Sequence, residues 1–221
     1  MRSPSASSVR STPATGAPRA QREVAITLQG VAEQAAGCHE CPLAELGTQT
    51  VWGEGPVGAP LMLVGEQPGD HEDLQGRPFV GPAGLLLDRA LAQLHWPRER
   101  LYVTNAVKHF KFELRGKRRL HKTPAQREVE ACNHWLQSEI GLVQPQAVVA
   151  LGATAAKALM GRAVPVLAHR GQWLRRKADG LPVLVTLHPS ALLRLRGEDR
   201  DLAFAAWLHD LQQAARYLRA D

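Results

Sequence analysis

The sequence lacks any apolar stretch approaching the roughly 18 to 20 residues that a membrane span needs, and no hydrophobic signal core stands near its start. A membrane-spanning or secreted protein is therefore not expected, and a cytoplasmic one is. Cysteine is scarce: Cys38, Cys41 and Cys132 are an odd three and include one C-x-x-C pair. That pattern fits a metal or redox site in a reducing compartment better than a disulfide framework. Acid is missing from residues 1–22, a stretch rich in Ser, Pro, Ala and Arg that cannot bury a core. This segment is expected to be a disordered tail. A transit peptide has similar chemistry, but prolines interrupt the amphipathic period it would need.

Residues 23–221 are then expected to form one domain, since 221 residues with 44% in the apolar set suffice for one well-packed core and fall short of two. Lys and Arg number 27 against 21 Asp and Glu, a formal charge of +6, which favours a polyanionic partner. The excess is local. Between residues 108 and 122, Lys108, Lys111, Arg115, Lys117, Arg118, Arg119 and Lys122 face the single acid Glu113, so this loop is expected to touch phosphates.

From residue 23 onward short apolar runs alternate with helical patterns, which argues for βαβ units. The expected fold is an α/β domain with a central four-stranded, mostly parallel sheet flanked by helices, its strands at 61–64, 101–104, 147–151 and 183–187. Leu87, Leu91 and Leu94 mark one helix face, and Val129, Cys132 and Leu136 another. Phe204, Leu208, Leu211, Ala215 and Leu218 carry a last helical stripe over the sheet. "KTPAQREVEAC" reads as a helix start with Thr123 as N-cap, Pro124 in the first turn and Gln126 completing a capping box. His121 would then lie two residues before a fixed helix end.

The turns after the strands are polar or glycine-rich: "GEQPGD", "NAVKH", "GATA" and "HPSALLR". Ligands of open α/β sheets bind at that edge, so Glu66, Gln67, Asp70, Asn105 and His188 are expected around one pocket. Phe79, in "RPFVGPAG", reads either as a core residue or as a stacking platform for a base. Asn105 either turns the chain or offers an amide donor and acceptor in one plane. His188 precedes Pro189 and Ser190, placing it to contact a ligand carbonyl while Ser190 receives a phosphate. Three thiols need a fourth ligand to close a site, and His109 and His134 are the candidates; zinc and an iron–sulfur cluster both remain open on spacing, beside three unrelated buried cysteines.

Taken together, "GEQPGD", "PFVGPAG", "TNAVKHFKF", "KRRLHKTP" and "HPS" resemble the uracil-DNA glycosylase superfamily, most closely the UdgX group related to the family 4 enzymes, over residues 24–218. The resemblance implies a [4Fe-4S] cluster on Cys38, Cys41, His109 and Cys132, with histidine where family 4 enzymes have a fourth cysteine. It implies that Phe79 stacks on a flipped uracil, that Asn105 reads the N3–H and O4 edge, that His188 contacts O2, and that Glu66 and Gln67 sit beside the sugar. Family 4 enzymes usually have alanine at the Gln67 position and lack a basic loop tipped by histidine. In the UdgX group that histidine becomes covalently attached to DNA; Leu120 stands here where isoleucine is expected.

The chemistry agrees. Loss of the base leaves an electron-poor C1′ that the nearest nucleophile captures. A neutral imidazole, with an ordinary pKa of about 6.5, can attack, whereas a lysine near 10.4 stays charged. Glu66 would orient His121 and accept its proton. Lys117, Arg118, Arg119 and Lys122 would grip phosphates and keep His121 neutral. The expectation is a monomer that excises uracil from DNA, single-stranded by preference because extrusion then costs less, and that links His121 to C1′ in one turnover. The alternatives are a multiple-turnover glycosylase and a non-catalytic iron–sulfur module that binds DNA.

Overall fold

A computed structural model describes residues 27–218. The expected tail lies outside the described residues. The chain runs through α1 (Leu28–Ala36), α2 (Leu43–Leu46), β1 (Leu61–Gly65), α3 (Asp70–Gln75), α4 (Pro82–Gln93), β2 (Leu101–Asn105), β3 (Phe112–Arg115) and β4 (Arg118–His121). It continues through α5 (Gln126–Val143), β5 (Ala147–Leu151), α6 (Ala153–Met160), α7 (Val166–His169), β6 (Gln172–Arg175), β7 (Pro182–Thr186), α8 (Pro189–Leu192) and α9 (Gly197–Gln212).

The main sheet has five strands in the order β2-β1-β5-β7-β6, where four were expected. β1, β2, β5 and β7 pair in parallel and β6 runs antiparallel to β7 at the edge. The four parallel strands are nearly continuous apolar runs because both their faces are covered. One face packs Leu61, Leu63, Val149 and Leu184 against Leu87 and Leu91 of α4 and Trp207 and Leu211 of α9. The other packs Met62, Val64, Val148 and Val185 against Leu136 and Ile140 of α5 and Ala156 and Leu159 of α6. β6 escaped the sequence reading because its outer register is "QWLR", exposed at both ends and half-buried between.

Two local expectations are corrected. The basic loop is a β-hairpin: β3 and β4 pair antiparallel with Phe112 opposite His121. Gly116 at φ 62° leads its two-residue turn, as a II′ hairpin requires of glycine. Helix α5 starts at Gln126 with Ala125 as N-cap, because the Glu128 carboxylate accepts the Ala125 amide at 2.6 Å. Thr123 is therefore not the cap, and His121 lies further from the helix end than expected.

Strand order reverses between β1 and β5, since the chain leaves β1 toward β2 on one side and β5 toward β7 on the other. That switch point is where a crevice opens beyond the carboxyl ends of the strands. Among the described residues no helix is long and apolar enough to cross a membrane.

Candidate active site

The exits of β1, β2 and β7 meet the hairpin around a cavity of about 370 Å³ lined by Gln67, Asp70, Phe79, Asn105, His121, His188 and Ser190, with Glu72, Leu193 and Arg194 at its wall and rim. Phe79 is held by backbone. It adopts φ 53°, a left-handed conformation rare for an aromatic residue, and a Cβ on Gly84 would meet its carbonyl oxygen at 1.9 Å. The Glu72 carboxylate accepts the amides of Gly69, Val80 and Gly81 at 3.1, 3.1 and 2.8 Å, tying this loop to α3. Such strain persists only where the surroundings impose it. The Phe79 ring lies 5.8 Å from the His188 ring, tilted by 34°.

Asn105 ends β2 and is buried. Its Oδ1 is buried without a hydrogen-bond partner. Gly65 permits this placement, since a Cβ there would meet Oδ1 at 2.3 Å and the Phe79 ring at 2.6 Å. An unpaired acceptor buried beside a cavity costs free energy unless a donor fills it. His188 Nδ1 accepts the Ser190 amide at 3.2 Å and meets the Ser190 hydroxyl at 2.8 Å. Nδ1 is thus the acceptor and Nε2 carries the proton. Burial pushes the His188 pKa down to about 4, with His121 and Arg194 adding to it, so the ring is neutral.

His121, half-exposed, faces Glu66: Nε2 lies 3.6 Å from Glu66 Oε1. Desolvation lowers the His121 pKa, opposed by Glu66 and reinforced by Arg194. Gln67 donates its amide to the Lys111 and Lys122 carbonyls at 3.2 and 3.0 Å and accepts the Lys111 amide at 3.1 Å, closing the hairpin's open end.

The basic residues divide. Lys108 is fully buried, 2.6 Å from Glu139, and leaves the expected phosphate strip. Arg119 turns inward, 2.5 Å from Asp70 and 2.6 Å from Asp73, with its guanidinium over the rings of Phe110 and Phe112. The Asp70 carboxylate, expected to face a base, is engaged by Arg119 at the cavity edge. Lys111 pairs with Glu128 and Lys122 with Glu113. Among the described residues Arg115, Lys117 and Arg118 make no ion pair and stay exposed.

The thiols of Cys38, Cys41 and Cys132 gather in one apolar shell with Val31, Ala35, Leu43, Val107 and Trp135. Burial raises the Cys41 pKa and pushes that of Cys132 to about 12. Sulfur atoms receive donors, the Lys108 amide on Cys132 at 3.2 Å and the Trp135 indole on Cys38 at 3.3 Å, which suits thiolates bound to metal. The Thr50 hydroxyl spends its one proton on the Ala35 carbonyl at 2.8 Å, so at 3.0 Å it accepts from His109 Nε2. His109 Nδ1 therefore keeps its lone pair, the pattern of an imidazole ligand oriented through its other nitrogen. Among the described residues no three of these side-chain types stand close enough to share a single ion. His134 bonds Glu40 at 3.3 Å on the surface.

Sequence reasoning missed Thr154, Arg194, Glu72 and Leu193. "HPSALLR" marked the turn from which Leu193 and Arg194 reach the cavity, and "GATA" the turn from which Thr154 reaches Glu66, but only strand order sets these turns beside the site.

A sequence profile described as the uracil DNA glycosylase superfamily matches residues 52–212. The chain is 40% identical to a type-4 uracil-DNA glycosylase of Pyrobaculum aerophilum over 80% of its length and 91% of that protein. It is 36% identical to one of Thermotoga maritima, over 86% and 94%, and 30% identical to one of Archaeoglobus fulgidus, over 76% and 83%. With the matched residues spanning the sheet, the cavity and α9, the chain belongs to the uracil DNA glycosylase superfamily, beside its type-4 members.

Proposed function

We propose that this protein is a uracil-DNA glycosylase that excises uracil and captures the sugar on His121. The observation that carries the base assignment is the buried, unpartnered Asn105 Oδ1, an acceptor that the N3–H of uracil satisfies. In the same plane the Asn105 amide donates to O4, and Phe79 stacks on the ring. Cytosine brings a lone pair to N3 and an amine to position 4, leaving both Asn105 groups mismatched.

As the bond between C1′ and N1 breaks, its electron pair stays on the base, and the His188 Nε2–H donates to O2 where that charge collects. The C1′ cation is flanked by the Glu66 carboxylate. The lone pair of His121 Nε2 then bonds to C1′, the Nδ1 proton of the resulting imidazolium is lost to water, and the Glu66 carboxylate, 3.6 Å from Nε2, offsets the charge while it lasts. The imidazole adduct lacks the Schiff-base route by which an amine adduct would break down.

We assign a [4Fe-4S] cluster to the thiols of Cys38, Cys41 and Cys132, which share one apolar shell, with the His109 ring, its Nδ1 lone pair free, as the fourth ligand. When bound, the cluster supplies structural ties between the segment after α1 and α5. The partner is uracil-containing DNA, single-stranded by preference, gripped by Arg115, Lys117, Arg118 and Ser190. The protein acts as a monomer in the cytoplasm.

The relatives' names fit equally a multiple-turnover enzyme in which water takes C1′. What favours capture is the imidazole held 3.0 Å from the Gln67 amide and 3.6 Å from the Glu66 carboxylate on a pinned hairpin. Uracil single-stranded DNA mixed with equimolar protein is expected to give a band that survives boiling in SDS, one uracil per protein, and no band with His121→Ser. With the DNA in large excess over protein, release of many uracils per protein with no such band overturns capture and leaves the glycosylase.

A further inference from the structure

The switch-point crevice between β1 and β5 is closed by one hydrogen bond. The Thr154 hydroxyl, in the first turn of α6, donates to Glu66 Oε2 at 2.6 Å. Glu66 follows β1 and Thr154 follows β5, so the bond joins the two strands whose onward connections diverge. The other carboxylate oxygen, Oε1, is the one that faces His121 Nε2. We infer that Thr154 is a positioning residue that sets the rotation of the Glu66 carboxylate, committing one oxygen so that the other is presented to His121 and C1′. This rests on the glycosylase reading above.

The fold builds this contact deliberately into the turn. Gly152 caps α6 at φ 93°, and a Cβ there would approach the His188 Cβ at 3.1 Å. Its amide bonds the Thr186 carbonyl at 2.9 Å, holding the α6 start against the end of β7. Thr154 therefore begins a helix fixed to the strand that delivers His188. The terminal C–C torsion of a glutamate is soft, with broad rather than staggered minima. A carboxylate half-open to the site has no other side-chain hydrogen bond among the described residues to choose its plane. A second cavity, about 320 Å³, is lined by Thr154 together with Val129, Lys157 and Val164.

The test is single-turnover excision and crosslinking on uracil-containing single-stranded DNA, for wild type, Thr154→Val, Thr154→Ser, Glu66→Gln and the double variant Thr154→Val with Glu66→Gln. Valine keeps the volume and removes the donor; serine keeps the donor. Thr154→Val is expected to lower the rate at saturating DNA about ten- to a hundredfold with the half-saturating DNA concentration unchanged, and Thr154→Ser to restore it. In the Glu66→Gln background Thr154→Val is expected to cost nothing further, because its effect passes through the carboxylate. A full rate in Thr154→Val, a change confined to half-saturation, or full additivity with Glu66→Gln overturns the assignment; additivity would mean that Thr154 serves folding alone. A wild-type protein inert on this DNA overturns the glycosylase reading itself and this role with it, a result distinct from any of those.

Discussion

The Gln67 amide nitrogen lies 3.0 Å from His121 Nε2 while donating to the Lys111 and Lys122 carbonyls at 3.2 and 3.0 Å. An amide has two protons, and here three acceptors surround it. Gln67 therefore clamps the two chains entering and leaving the hairpin and sets the imidazole by contact. Gln67→Ala removes the clamp and leaves Asn105, Phe79 and His188 in place. The expected outcome is uracil release within a few-fold of wild type and a covalent yield down about tenfold or more. Quantifying both products from one reaction checks this; equal losses would place Gln67 in base cleavage instead.

Arg119 makes the second anchor. Its guanidinium joins Asp70 and the fully buried Asp73 beneath Phe110 and Phe112, so it holds β4 to α3. Arg119→Ala strands the Asp73 carboxylate with Thr48 alone. Faster hydrogen exchange over residues 112–121 is expected, with a fall in crosslinking larger than the fall in DNA affinity. Arg118→Ala, which breaks no ion pair, is expected to show the reverse: weaker binding, a shallower salt dependence and normal exchange.

These two roles were not legible in the sequence. In "KRRLHKTP" the cations are equivalent, and only the register that sets Leu114 opposite Arg119 turns one of them inward. The hairpin was masked for the same reason: Phe112, Leu114 and Leu120 alternate with charges around Gly116, yet the charge run reads as a solvated loop. The parallel strands were legible because burial on two faces leaves runs such as "LMLV" and "AVVAL" with no other use. Glu66, Gln67, Asn105 and His188 were legible because each follows such a run. Thr154 was not, since a threonine in a helix's first turn reads as a helix-start residue until strand order sets it beside Glu66.

The pH dependence follows from His121. Its pKa is lowered, chiefly by desolvation, so the neutral nucleophile persists to lower pH than an ordinary histidine allows. The sign is that of a depressed base: the neutral form is complete above the ordinary value and is lost as pH falls through the lower one. The crosslinking rate is expected to be flat from pH 8 to about 6.5 and to fall only below that. Base excision in His121→Ser should persist further into acid, because His188 protonates at about 4. A crosslinking rate already falling between pH 8 and 7 would contradict a neutral, desolvated His121.

The buried cation carries the last prediction. Lys108 Nζ donates to Glu139 Oε2 at 2.6 Å, to Thr104 Oγ1 at 2.7 Å and to the Asn105 carbonyl at 2.7 Å, so all three of its protons are used. Glu139 in turn accepts from the Gly53 amide and the Tyr102 hydroxyl at 3.0 and 3.1 Å. Lys108→Met leaves that carboxylate buried and uncompensated, and a loss of about 3 to 5 kcal/mol in urea unfolding is expected. Adding Glu139→Gln removes the orphaned charge while keeping the acceptor, so the double variant is expected to be more stable than Lys108→Met. A single variant within about 1 kcal/mol of wild type would mean water reaches the site. Because one of the three protons ends on the Asn105 backbone, the double variant is still expected to excise uracil more slowly while fully folded: the network that stabilises the second parallel strand also fixes Asn105, proposed above as the residue that reads the base.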